Sequence, residues 1–449
     1  MKRIFFSLAM VTLLALTACA SPTNTSPTQS SFDDQVGTMV AATMQAFPTN
    51  TPIPTDQPTG ESIVVAFVKD GDVHVWDSTT EQSKLVFNAD DATTVTISDD
   101  GQLIVFIRRW VDSNQCEQTA LWVVERNGGN AREIVSPLEL RDFLDATGCA
   151  IGSANIDKIE WLPQTHRLVY SLIPGYEHAS PQGIYLSDAD TLSTTMLVST
   201  DHSLRFVPSP DGNQLALTTV TGLSFINSDG TDWRQDVLTY PKKVVPIPYI
   251  PSGVWTQDSR AFLIAAPIES ESMFALNHTI VRVPVDGSDS QSLATLTNTN
   301  PRSITFSPDG KHVAFIDNSY QGKDQSERRW VITPLAGDGE PLAIPHRTDL
   351  GEYANLHWSP AGVPYAVSSQ KLFQLCPNAA QSSDTCDWVN PEYVNFGVIQ
   401  WLDANRLLFL AVGPSVLFLG NVDHTTVPIV AWSSEDGVSF SAVLLEPGK

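Results

Sequence analysis

Basic residues are the first thing this sequence lacks. Lys and Arg number 26 against 50 Asp and Glu in 449 residues, a formal charge of -24. A surface of that sign excludes binding nucleic acid by displacing counterions from phosphates, and it offers no basic patch to anionic lipid. Recognisable catalytic signatures are missing too. There is no G-x-S-x-G elbow, no H-E-x-x-H, no P-loop and no G-x-G-x-x-G after a strand. The nine histidines are scattered, with no pair at i, i+4. No cofactor is expected. No segment carries sustained helical periodicity with caps, and no apolar run is long enough to span a bilayer. What remains is a mostly globular chain, 42% hydrophobic and 17% charged, with enough apolar material for a large core.

The first residues are of another kind. Lys2 and Arg3 form a short positive region, residues 4–16 form an apolar stretch, and "LTAC" closes it at Cys19. This resembles the lipobox of bacterial lipoproteins. The resemblance implies that residues 1–18 are a signal peptide and that Cys19 carries acyl chains. It also implies that the mature protein is held to a cell membrane, on the extracytoplasmic face, without a transmembrane helix. Residues 19–60 follow as a Ser/Thr/Pro-rich tether, which cannot bury enough apolar surface to offset its ordering entropy. Four further cysteines remain in an exported chain: Cys116, Cys149, Cys376 and Cys386. Each adjacent couple falls within one repeat, which favours Cys116 with Cys149 and Cys376 with Cys386. A zinc site and, in a compartment without an oxidant, free thiols are the alternatives; against the zinc site stand the lack of C-x-x-C and of histidines at ligand spacing.

Residues 61–449 read as short β-type runs separated by Gly, Asp, Asn and Pro turns. Two words alternate. The first is "FSPDGKHVAFID" at Phe306, with copies at Ile97, Val207 and Trp358 and weaker ones at Trp161, Trp255 and Trp401. The second is a hairpin such as "TIVRVPVDGSDSQSLATL" at Thr279, of which there are eight. With a period of roughly fifty residues, each repeat supplies four strands, a to d. This resembles the TolB-type or WD-like β-propellers, which implies an all-β fold of four-stranded antiparallel blades packed around a ring. Eight hairpins against seven a/b turns predict eight blades, seven being the alternative. The missing strand would come from "GVSFSAVLL" near the C-terminus, beside "SIVVAFV" at Ser62, closing the ring.

The turn residues have local reasons to be where they are. A type I turn favours Ser or Asp first, Pro second and Gly fourth, where φ turns positive. Asp100 with Gly101, Asp211 with Gly212, Asp309 with Gly310, and Gly362 are therefore expected to be structural, with the serine accepting from the backbone two residues on. Bulky residues before the turns, such as Trp161, Trp255, Phe306, Trp358 and Trp401, are expected to pack between blades. An insertion over residues 135–158 is a candidate binding loop. The function these observations predict is a non-catalytic module that binds a protein or glycan. The alternative is a surface hydrolase or lyase using carboxylates in the central channel. Neither the ligand nor the oligomeric state is legible.

Overall fold

The computed structural model describes residues 61–446, except 115, 144–153, 175–181, 200–203, 243, 246, 269–275, 318–328, 337–338, 346–354, 368–371, 375–386, 389–395, 412–414, 422–424 and 432–438. Its contacts divide the chain into Met1–Thr51 and Pro52–Lys449. All described residues belong to the second unit. Among them no helix is long and apolar enough to cross a membrane.

That unit is a β-propeller of eight four-stranded antiparallel blades. The first blade takes its inner strand a, Phe440–Leu445, from the end of the chain and strands b, c and d, Ser62–Lys69, Asp72–Asp77 and Gln82–Phe87, from the start. Ser62 pairs with Leu445 and Phe67 with Phe440. The later blades follow in order, with inner strands Ala92–Ile97, Ala154–Trp161, Leu204–Pro208, Gly253–Trp255, Thr305–Phe306, Asn355–Trp358 and Phe396–Trp401. A Thr299–Asp317 pairing joins the fifth and sixth blades into one eight-stranded sheet.

A blade alone leaves both faces of its sheet apolar, so burial requires neighbours. The buried clusters lie between successive blades. Val64 and Phe106 meet between the first and second, Leu121 and Tyr170 between the second and third, and Ile184 and Phe206 between the third and fourth. Phe225 and Phe262 lie between the fourth and fifth, Leu263 and Phe315 between the fifth and sixth, and Trp330 and Leu356 between the sixth and seventh. Tyr365 and Trp401 pack with tilted rings, centroids 5.0 Å apart, across the seventh and eighth. Ile63 and Phe67 pack on Leu408 and Leu417 to join the eighth to the first. The ring thus closes through packing as well as through strand pairing. Of the bulky residues before the turns, Trp161, Trp255, Phe306 and Trp358 are buried, each against the preceding blade, while Trp401 is half-buried.

A propeller has two kinds of free strand edge. At the rim, the c/d pairing shifts register in the first, second, third, fourth, fifth and eighth blades. Such bulges twist an edge out of the geometry a further strand would need. Among the described residues an α-helix departs from the all-strand expectation: Pro137–Phe143, in the insertion. Ser136 and Glu139 form its capping box, with Ser136 N donating to Glu139 Oε2 at 2.8 Å and Glu139 N donating to Ser136 Oγ at 3.3 Å. Its seven residues are too few for periodicity to register, but the S-x-x-E signal was present in the sequence.

Candidate functional site

The a/b turns repeat one hydrogen-bonding pattern. In the sixth blade Ser307 Oγ donates to Asp309 Oδ1 at 2.6 Å, Lys311 N donates to the same oxygen at 3.0 Å, and His312 N donates to Ser307 Oγ at 2.9 Å. Ser98 and Asp100 do the same for Gln102 N and Leu103 N, and Ser209 and Asp211 for Asn213 N and Gln214 N. The serine therefore accepts from the residue five on. It is the aspartate that accepts from two on, which corrects the sequence expectation. Gly101, Gly212, Gly310 and Gly362 have φ of 68°, 70°, 67° and 77°. In the seventh blade Ala361 replaces the aspartate and the residue five on is Pro364, which has no N–H. Ser359 Oγ there accepts instead from Val363 N at 3.2 Å. Burial acts to raise Asp100, Asp211 and Asp309, but the hydrogen bonds they accept outweigh it and hold all three below the usual carboxylate range.

Neighbouring turns are also laced together. Asp99 Oδ2 accepts from Gln164 N at 2.9 Å, and Asp211 N donates to Ser259 Oγ at 3.1 Å. The chain enters the ring on this same face, since Ser62 lies beside Leu445. There Glu61 and Asp403 share the Arg406 guanidinium, with Nη2 at 2.9 Å and 2.5 Å from their oxygens.

The inner strands present their second free edge to the channel, and the polar side chains of adjacent blades meet it. Ser439 Oγ accepts from Val95 N at 3.0 Å, Lys158 Nζ donates to Phe206 O at 2.8 Å, and Ser252 Oγ donates to Ile304 O at 3.2 Å. Gln400 acts as a surrogate strand partner for Ala442, donating to its carbonyl at 2.9 Å and accepting from its N–H at 3.1 Å. The acids Asp157 and Glu160 both sit on the third blade, and Lys158 pairs with Glu160 at 2.8 Å. His357, whose proton affinity burial lowers, sits on the seventh. Four blades separate them in a ring of eight, which puts them on opposite sides. Among the described residues no three His, Cys, Asp or Glu side chains are grouped to hold a metal.

The opposite face carries the b/c and d/a connections. In the second blade, strands Leu103–Val111 and Glu117–Glu125 are nine residues each and project as a long hairpin. Arg108 is bidentate on Asp91, at 2.7 and 2.9 Å, and lies over the Trp110 and Trp122 rings at 5.5 and 5.3 Å. Asp112 closes the tip by accepting from Asn114 N, Cys116 N and Gln118 Nε2. Cys116 is disulfide-bonded. Cys19, Cys149, Cys376 and Cys386 lie outside the described residues. Val111 and, on the helix that follows, Leu138 are exposed.

No protein-family model matches the chain, and no curated protein does either. Among solved structures it is similar to TolB from Acinetobacter baumannii, at 16% identity and a TM-score of 0.37 over 85% of this chain and 82% of that one. An oligogalacturonate lyase in complex with manganese aligns at 12% identity and a TM-score of 0.43, over 68% of this chain and 79% of that one. An acylaminoacyl peptidase from Pyrococcus horikoshii aligns at 12% and 0.43 over 76% of this chain, which spans only 52% of the peptidase. The assignment of eight blades rests on the strand pairing itself.

Proposed function

We infer that the protein is a lipid-anchored, extracytoplasmic interaction module that binds a protein or glycan without catalysing a reaction. One observation carries this reading: Lys158, Ser252, Gln400 and Ser439 of the channel wall are engaged in joining blades, and the acids Asp157 and Glu160 stand on the blade opposite His357. General acid–base chemistry needs two such groups around one substrate bond. The binding surface in this reading is the face of the b/c and d/a connections. Tight turns bonded to one another occupy the other face, which is also where the tether from Cys19 joins the ring. A disulfide between Cys116 and Cys149 would brace the hairpin against the insertion.

The test has three arms. Cys19→Ala should move the protein from the membrane fraction to the soluble one, and unchanged fractionation removes the anchor from the reading. The full-length protein used as bait in detergent-solubilised membranes should capture a partner, and loss of that partner in a variant lacking the hairpin tip would support the face. Turnover on a panel of glycans and peptides, abolished by Asp157→Asn or Glu160→Gln, would replace the module with a hydrolase or lyase.

A further inference from the structure

His166 lies in the a/b turn of the third blade, and both of its ring nitrogens face carboxylates. Nε2 is 3.0 Å from Asp100 Oδ2, in the a/b turn of the second blade. Nδ1 is 3.1 Å from Asp190 Oδ1 and 3.0 Å from Oδ2, in the c/d turn of its own blade. A neutral imidazole has one N–H and one lone pair, so it can donate to only one of these carboxylates and must turn a lone pair toward the other. Only the imidazolium donates on both sides.

The surroundings fix this arrangement. Asp100 Oδ1 is taken by Ser98 Oγ and Gln102 N, which leaves Oδ2 for the histidine. His166 O accepts from Ala189 N at 2.9 Å, tying the ring to the Asp190 turn. From the outer strand of the second blade, Arg132 Nη2 donates to Ala189 O at 2.9 Å. The charged groups around the ring are thus Asp99 and Asp100 from one turn, Asp188 and Asp190 from another, Arg132 across the seam, and Arg167, which follows His166 and acts on Asp229 of the fourth blade. Asp188 Oδ1 is occupied by Asp190 N and Thr191 N.

We propose that His166 is a proton-operated latch that, while its ring carries both protons, ties the Asp190 turn of the third blade to the Asp100 turn of the second, and that lets go of Asp190 when the ring loses one. On release the ring keeps one carboxylate. Asp100 is the one retained, because its other oxygen is held by its own turn, whereas the Asp190 side chain is 60% exposed and free to rotate into water. The direction of the ring's affinity agrees with the geometry. Burial opposes its charge, but the hydrogen bonds to Asp100 and Asp190 outweigh that and raise it above the ordinary histidine value. A raised histidine contributes stability that is full below its unfolded value, about 6.5, and is lost as pH climbs through the folded one. Asp100, held low, keeps its share until the pH falls below the usual carboxylate range. The latch therefore opens on the alkaline side.

The decisive measurement is the histidine ring titration of the full-length protein by NMR, with the His166 signal assigned by its loss in His166→Gln. His166 should titrate above the ordinary value, and Asp190→Asn should return it toward that value. Thermal melting supplies the second readout. The gap between wild type and His166→Gln should be widest near and below the ordinary histidine value of about 6.5 and should narrow to a constant remainder as the pH climbs through the raised value of the folded ring. A ring that titrates at or below the ordinary value, one unmoved by Asp190→Asn, or a gap constant with pH would each overturn the latch. If His166→Gln does not fold, stepwise titration of wild type against Asp190→Asn still decides the matter.

Discussion

Alanine at Gly212 and alanine at Gly362 make the same local change with different tertiary consequences. Both glycines end an a/b turn in the left-handed region, at φ of 70° and 77°. A β-carbon there costs about 1–2 kcal/mol through contact with its own backbone. At Gly362 no atom of the described residues lies within 4 Å of the new carbon, so that backbone contact is the cost. At Gly212 the β-carbon would stand 2.8 Å from the Pro163 carbonyl oxygen of the third blade. Pro163 cannot yield freely, since Leu162 N donates to Arg167 O at 2.8 Å and Gln164 N to Asp99 at 2.9 Å around it. Forcing rigid backbone apart adds about 1–3 kcal/mol. Gly212→Ala should therefore lose more stability than Gly362→Ala by that margin, read as the difference in urea unfolding midpoint by tryptophan fluorescence. Equal losses, or a larger loss at Gly362, would refute the claim that adjacent turns bear on one another.

Asp309→Ala removes the acceptor for Ser307 Oγ and Lys311 N and should destabilise by about 1–2 kcal/mol, although the turn residues alone suggest little effect. The converse Ala361→Asp should gain up to about 1 kcal/mol in the same thermal melt, and a neutral result for both would show that water replaces these bonds. Arg406→Met leaves Glu61 and Asp403 without their shared cation at the point where the chain enters the ring; a loss of about 2 kcal/mol is expected, with faster proteolysis near Glu61. Protease resistance equal to that of the wild type would mean that strand pairing with the C-terminus suffices to hold the entry.

The alternation of a/b turns and c/d hairpins was legible in the sequence because each turn needs particular residues within four or five positions. Gly310 is required by a φ, and Asp309 by two nearby donors. Ring closure was legible as well: eight hairpins against seven turns called for a strand from the C-terminus, and Ser62 indeed pairs with Leu445. The helix at Pro137–Phe143 was signalled only by Ser136 and Glu139, since it is shorter than the window in which periodicity shows. What the sequence could not contain is which blade a polar side chain serves. Gln400 and Ala442 are 42 residues apart, and His166 and Asp100 are 66 apart. Nothing local to either residue of such a pair specifies the other. Hydrophobic periodicity and turn chemistry are properties of neighbours along the chain, and they determined the blades, their number and their order. The edge-capping of the channel and the double carboxylate around His166 arise where separate blades are brought together by burial of their faces, and only the tertiary structure decided them.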